Sequence, residues 1–440
     1  MHKSIRRAFA ASGICGALLL SACASGGDAN GGSVTDEPEY SGTVSILTKY
    51  GAEPFTSYFE DIAAAYEELH PDVDVELIQS TDQAIKTQVK TMVTSGNLPD
   101  IYFSWTGDWA RQFTENGLAA DLGEVIAPGT EWGDTFLPSA LEAFAPDGTF
   151  WGVPESIDAK LMGYNKRIFD EAGVGVPGTF DELLDACDAI RDAGYQPIAF
   201  GNKDGWPALH YLGQLFGYNV PMDVIQQDFD VETAAWDDPG YLTSVEQLSE
   251  LLTRCVGTGG DINSVLYTTA REDFAAGRAA MYYANVVEFD VMAPEGSQAL
   301  QDGFGAFQLP LPDTAVTDAA SAPLAGAPTG YFVNPKGNVP LAVDFLKFAS
   351  DLENAEKLAG PPYGQPSPVI GAVNPETSSA AVVEGASKIE AAPALIGWLD
   401  TETNPDVATA LLSATEGVVG GGVMPEQLLE RVRQASEAAR

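Results

Sequence analysis

Positive charge is scarce in this 440-residue chain: 22 lysines and arginines stand against 63 aspartates and glutamates, a formal charge of -41. A surface this acidic repels phosphate backbones and anionic lipid headgroups, which excludes nucleic-acid binding, and no basic cluster restores it. Histidine is rarer still, with three copies, one of them at position 2. No HExxH zinc pattern, Gly-x-Ser-x-Gly elbow or P-loop occurs, and no calcium loop of alternating aspartates with a central glycine. No metal, no cofactor and no catalytic residue is therefore assigned. No segment after the N-terminus has 18 consecutive apolar residues, so no bilayer-spanning helix is expected there and the remainder should be soluble. Core-forming residues, by contrast, are plentiful. The chain is 45% apolar and 10% aromatic, too rich for disorder. At roughly 150 residues per domain its length suits two or three globular units.

The N-terminus is a unit of its own. Lys3, Arg6 and Arg7 precede an apolar stretch from Ala8 to Leu20, the charge-then-apolar order of a secretory signal, and too short to span a bilayer. It ends in Leu20-Ser21-Ala22-Cys23, which resembles the bacterial lipobox, in which the cysteine becomes the lipidated first residue of the mature chain. Residues 1–22 read as a signal peptide, Cys23 as the lipidation site, and the Gly/Ser-rich residues 23–42 as a flexible tether between lipid and fold. Acyl chains supply membrane affinity at about 0.8 kcal/mol per buried CH₂. The expected location is extracytoplasmic, on the outer face of the cell membrane. Of the four cysteines, Cys15 leaves with the signal and Cys23 is taken by lipid. Cys187 and Cys255 remain in helix-like segments, either bridged, as an oxidising compartment permits, or as two buried thiols.

From residue 43 onward short apolar runs alternate with amphipathic stretches. Thr43 to Leu47 is β-rich. Phe55, Tyr58, Phe59, Ile62 and Tyr66 recur at helical spacing, residues 73–78 alternate as a strand, residues 82–95 read as a helix ended by Gly96, and Ile101-Tyr102-Phe103 as a third strand. This β-α-β-α-β order predicts a largely parallel sheet with helices on its faces and ligand loops at the C-terminal strand ends. Further strands are predicted at 161–164, 197–200 and from Met281. Helices are predicted at 241–254, 271–276 and 341–359, and one begins at Pro425. Thr179 and Glu182 predict a capping box for a helix closed by Gly194.

Four segments carry a resemblance: TSGNLPDIYFSWTGDWARQFTENGLAADL (94–122), FWGVPESIDAKLMGYNKRIFDEAGVGVPGTFDEL (150–183), FAAGRAAMYYANV (274–286), and Gly330 to Val369. In this order they resemble the family 1 extracellular solute-binding proteins of ATP-driven importers, the class that includes maltose-binding proteins. The resemblance implies a two-lobed periplasmic-binding-protein-like α/β fold of type II, each lobe a mostly parallel sheet flanked by helices. It places residues 43–157 plus 330–372 in one lobe and 158–329 plus 373–440 in the other. Closure is hinge bending around a carbohydrate in the cleft. The closed form is delivered to a membrane permease, the protein works as a monomer, and no catalysis is implied.

Sugars present hydroxyls and apolar C–H faces, so a site needs flat aromatics and polar side chains. The loop after the third strand offers Trp105 and Asp108, where the family uses an aromatic and a carboxylate, although Asp108 also suits the N-cap of a helix starting at Trp109. Lys49, Tyr50 and Glu53 follow the first strand. Asp158 matches the spacing of an acidic contact at the lobe crossover of maltose-binding relatives, with Glu155 as a second acid. Trp206 lies just past a strand end and is expected to stack. Asn285 supplies a hydrogen bond, Thr329 with Gly326 and Ala327 a close backbone approach, and Trp398 a late stacking ring; Tyr363 is a minor candidate. His210 reads as a capping or packing residue. After MYYAN the family usually carries a tryptophan, whereas this chain has Val286-Val287-Glu288, a loss that argues against long oligosaccharides. Competing readings are a non-sugar polyol as ligand, a secreted carbohydrate hydrolase, for which no pair of acids is singled out, and an adhesive surface lipoprotein without a cleft.

Overall fold

The computed structural model describes residues 32–440 apart from residues 83, 258–261 and 295. The signal segment and Cys23 lie outside the described residues. Of the expected tether, residues 32–41 follow the surface, and Tyr40 stacks on His70 with ring centroids 3.9 Å apart.

Nine strands are assigned among the described residues: β1 Gly42–Thr48, β2 Val73–Gln79, β3 Ile101–Trp105, β4 Gly152–Asn165, β5 Gln196–Ile198, β6 Ala279–Asn285, β7 Phe304–Phe307, β8 Leu324–Val333 and β9 Leu395–Ile396. They follow the order β2-β1-β3-β8-β4-β6-β5, with β7 on β4 and β9 on β8. Pairing is parallel on both flanks, β1 with β2 and β3 on one side and β5 with β6 on the other. It turns antiparallel where β4 and β8 run past each other, from Gly152 opposite Phe332 to Ala159 opposite Gly326, with a bulge between Pro154 and Ser156. The first part of β4 thus belongs to the β1–β3 half, and its last part, from Lys160, pairs with β6 and β7. These two long strands join two α/β lobes. All ten residues of β8 are buried. Gly326 and Gly330 allow the close crossing: a Cβ at either would sit on the carbonyl oxygen of Asp158 or Val153.

Helices cover the flanks as their apolar spacing requires. Phe55–Leu69 buries Tyr58, Phe59, Ile62, Ala63 and Tyr66, and Ile85–Ser95 ends on Gly96 in the left-handed region at φ 71°. Several expected elements differ in extent. The predicted 161–164 strand is the end of the 14-residue β4, whose polar residues Glu155, Asp158 and Lys160 interrupt its apolar pattern. The predicted 341–359 helix is two, Val339–Ala349 and Leu352–Ala359, because the Asp351 carboxylate accepts the Asn354 N–H at 2.8 Å and starts a new helix. The helix from Pro239 widens into a π-turn at Leu252–Val256. At Thr179 the hydroxyl accepts the Glu182 N–H at 3.2 Å, but the Glu182 carboxylate accepts from Gly178, one residue earlier than a capping box requires. Cys187 on the helix Phe180–Asp192 and Cys255 in the π-turn form a disulfide, their Cα atoms 5.1 Å apart. Among the described residues, no helix is long and apolar enough to cross a membrane.

Candidate functional site

The C-terminal ends of β1, β3 and β6 and the loops following β2 and β5 converge on one cavity of about 330 Å³. Such strand ends are where open α/β sheets place ligands. Lys49, Tyr50, Trp105, Asp158, Trp206, Asn285, Thr329 and Trp398 all line it. Glu53 and Asp108 do not. Glu53 is exposed and accepts the Ser57 hydroxyl at 3.1 Å. Asp108 lies in the first turn of Gly107–Thr114 without capping it and pairs with Arg111 at 3.3 Å; burial raises its carboxyl while Arg111 opposes the rise.

Each cation in the lining already has a carboxylate partner. The Lys49 ammonium lies 3.7 Å from Asp82 and 4.9 Å from the Phe103 ring centroid. Lys86 donates to Asp400 at 2.6 Å while sitting 5.0 Å from the Trp105 centroid. Tyr50 is held from below, its hydroxyl donating to Glu155 at 2.9 Å, with the Tyr331 hydroxyl on the other oxygen at 3.0 Å. Burial pushes the Glu155 carboxyl up to about 7 even though both hydroxyls and Lys49 favour its ionised form. Glu155 therefore acts behind the wall. Asp158 is 6% exposed, and one oxygen accepts the N–H groups of Ala159 and Val286, both at 2.9 Å. Burial raises it too, to about 7, against the opposing charge of Lys160. Glu288 anchors the far side: it accepts the Asn285 N–H at 3.1 Å and lies 3.6 Å from Lys160 and 3.7 Å from Arg271.

Five buried polar atoms on lining residues have no hydrogen-bond partner in the protein: Asp204 Oδ2, Trp206 Nε1, His210 Nδ1, Asn285 Oδ1 and Gln365 Oε1. Unpaired buried groups cost about 1–3 kcal/mol each, and proteins leave few. Four of these five can accept and Trp206 donates. A hydroxyl-bearing molecule, which does both, satisfies them. Trp105 and Trp398, 7% and 6% exposed, supply apolar faces. Trp206 differs from the expectation that it stacks. Its ring packs on His210 at 4.9 Å and Tyr267 at 4.8 Å, with the Lys160 ammonium 5.0 Å away, and its N–H has no partner in the protein.

A larger groove, about 750 Å³, runs along the other side of the crossing strands, lined by Ile157 where Ser156 and Asp158 line the cavity. Its lining includes no aromatic residue and none of the unpaired atoms. The smaller cavity is therefore the candidate site. Sequence reasoning missed Asp82, Lys86, Ser156, Asp204, Gln365 and Asp400 and set His210 aside. Asp204 and Asp400 lie two positions from Trp206 and Trp398, so the same loops held the signal. Asp82 and Lys86 follow β2 and reach the site only through the fold.

Residues 52–404 match the family model of the bacterial extracellular solute-binding proteins. The chain belongs to this family. Relatives include the maltotriose-binding protein of Pyrococcus abyssi, 29% identical over 163 residues, 36% of this chain and 33% of that one, and the arabinooligosaccharide-binding protein of Halalkalibacterium halodurans, 24% identical over 68% of this chain and 66% of that one. The match thus spans only a third of the maltotriose-binding protein's length. Solved structures agree in fold. One, from work on xylan utilization by the thermophilic bacterium Caldanaerobius polysaccharolyticus, superposes with a TM-score of 0.81 at 20% identity over 89% of this chain and 99% of that one. A chitin oligosaccharide binding protein gives 0.80 at 20% identity over 91% and 99%. In this solute-binding protein the cavity is lined in part by Ser156 and Asp158 of β4 and by Ala327 and Thr329 of β8.

Proposed function

We propose that this solute-binding protein captures a short, uncharged carbohydrate in the tryptophan-lined cavity and delivers it to the permease of an ATP-driven importer, without chemical change to the sugar. The observation that carries this reading is the clustering of five unpaired polar atoms around stacking rings. Unpaired groups of this kind reward a ligand that pairs them and penalise an analogue that lacks the hydroxyls. The volume of about 330 Å³ lies at the small end of ligand pockets, which run roughly from 300 to 1,000 Å³. A non-sugar polyol remains the second ligand class, since it offers the same hydroxyls without the flat faces.

Residues 43–157 plus 330–372 form one lobe in this proposal and 158–329 plus 373–440 the other, with β4 and β8 as the hinge. The protein acts as a monomer, held at the outer face of the membrane by lipid on Cys23. The names of the relatives and the signal-like N-terminus support this reading. The test is a thermal-shift screen of the exported chain against sugars and polyols. A ligand at a hundredfold excess over its Kd stabilises the native state by about 2.7 kcal/mol. At least one carbohydrate is expected to raise the midpoint. Shifts confined to amino acids, peptides or metals would refute the assignment. Unchanged sugar after prolonged incubation is the expected result for a binder, and hydrolysis would point to an enzyme.

A further inference from the structure

Trp206 opens the helix Trp206–Asn219, and His210 stands four residues on, over the same helical face. Trp398 arrives from the opposite direction, in the segment between β9 and the short helix Leu399–Glu402. His210 contacts both tryptophan rings, tilted against Trp206 and stacked on Trp398. His210 lies 4.9 Å from Trp206 at 38° and 4.4 Å from Trp398 at 30°. Two tryptophans with a flat ring between them is the arrangement that holds a pyranose by both faces, each at carbon–carbon contact of roughly 3.5–4.0 Å. Here the protein's own imidazole fills the slot. We infer that His210 sets the length of the bound saccharide by occupying the place between Trp206 and Trp398 that a further sugar ring would otherwise take.

Three observations support this. The imidazole is 9% exposed and lines the cavity, so it is a wall rather than a surface side chain. Its Nδ1 has no partner, so no protein hydrogen bond explains why a histidine stands there, and it offers one to a sugar that stops at this wall. Burial, with Lys160, Lys86 and Lys49 nearby, holds the imidazole well below the usual histidine range, so the wedge is neutral and stacks without a charge to solvate. Val287 lines the same cavity and is aliphatic, so it too offers an extra ring no aromatic face.

The inference rests on the carbohydrate reading, and titration calorimetry separates the two. The exported chain is titrated with maltose-series and xylose-series sugars of one to four units. The wild type is expected to bind the one- and two-unit members at least about tenfold more tightly than the longer ones. His210→Ala is expected to shrink that ratio below about threefold by gaining affinity for the longer members, and Trp398→Ala in the same background to abolish the gain. His210→Phe, which keeps the slot filled, is expected to retain the cut-off. It carries the test if His210→Ala does not fold, because acceptance of longer chains by the Phe variant would overturn the proposal. Equal weakening of all ligands by His210→Ala, or a wild type that prefers three or four units, overturns it while leaving the carbohydrate reading intact. No binding of any member to wild type or variant overturns both.

Discussion

Asn285 shows how a binding residue differs from a packing residue. Its backbone is held by Glu288, but its side-chain oxygen is buried without a partner. That arrangement costs the free protein and is repaid only by a ligand. Asn285→Ala is therefore expected to leave the melting temperature of the free protein unchanged or higher while weakening sugar binding. Calorimetry of both properties on one variant checks this, and a loss of stability without a loss of affinity would make Asn285 structural. Trp206 calls for a different variant. Its faces are taken and its N–H is free, so Trp206→Phe is expected to keep the fold and cost one hydrogen bond, about 0.5–1.5 kcal/mol or roughly two- to twelvefold in Kd. The gathering of Lys49, Tyr50, Trp105, Asp158, Trp206, Asn285, Thr329 and Trp398 around one cavity was legible because strand-end loops are readable from the alternation of strand and helix. Asp108 was not, because helix geometry turns it toward Arg111, a matter of three residues' spacing rather than residue type.

At the level of elements, periodicity revealed what each segment does alone and missed what neighbours impose. The helix Phe55–Leu69 was readable from its apolar stripe. β4 was not, since Glu155, Asp158 and Lys160 face partners supplied by other strands and loops and their charge hides a buried strand. The crossing of β4 and β8 depends on Gly330, where a methyl group meets the Val153 carbonyl. Gly330→Ala is expected to destabilise by about 1–3 kcal/mol, the usual cost of overpacking, as measured by urea unfolding. An unchanged midpoint would mean that the strands separate without strain. The Cys187–Cys255 bridge spans 68 residues, and neither cysteine lines the cavity. Reduction is expected to cost about 2–4 kcal/mol of stability and to leave sugar affinity unchanged.

For the whole molecule, charge and burial act in the same direction. Glu155, Asp158 and Glu402 are each pushed up to about 7, chiefly by burial. Below about pH 4 such groups are protonated in both states and contribute nothing. As the pH rises toward 7 the unfolded chain releases these protons while the native protein retains them, so the folded state loses stability across that window. The formal charge of -41, with a pI near 4.1, adds self-repulsion that also grows with pH. Asp302 acts oppositely: Arg167 holds its carboxyl down to about 2, so its contribution is present above the ordinary aspartate range and lost on strong acidification. The ligand-free protein is therefore expected to melt higher at pH 5 than at pH 7.5, by scanning calorimetry. Salt distinguishes the causes. Surface repulsion is screened within a Debye length of about 8 Å at 0.15 M, whereas buried carboxyls are not. Added salt should flatten part of the decline, and Asp158→Asn should remove a further part that salt leaves untouched. A midpoint that climbs from pH 5 to 7.5 would contradict both the burial of these acids and the weight given to the acidic surface.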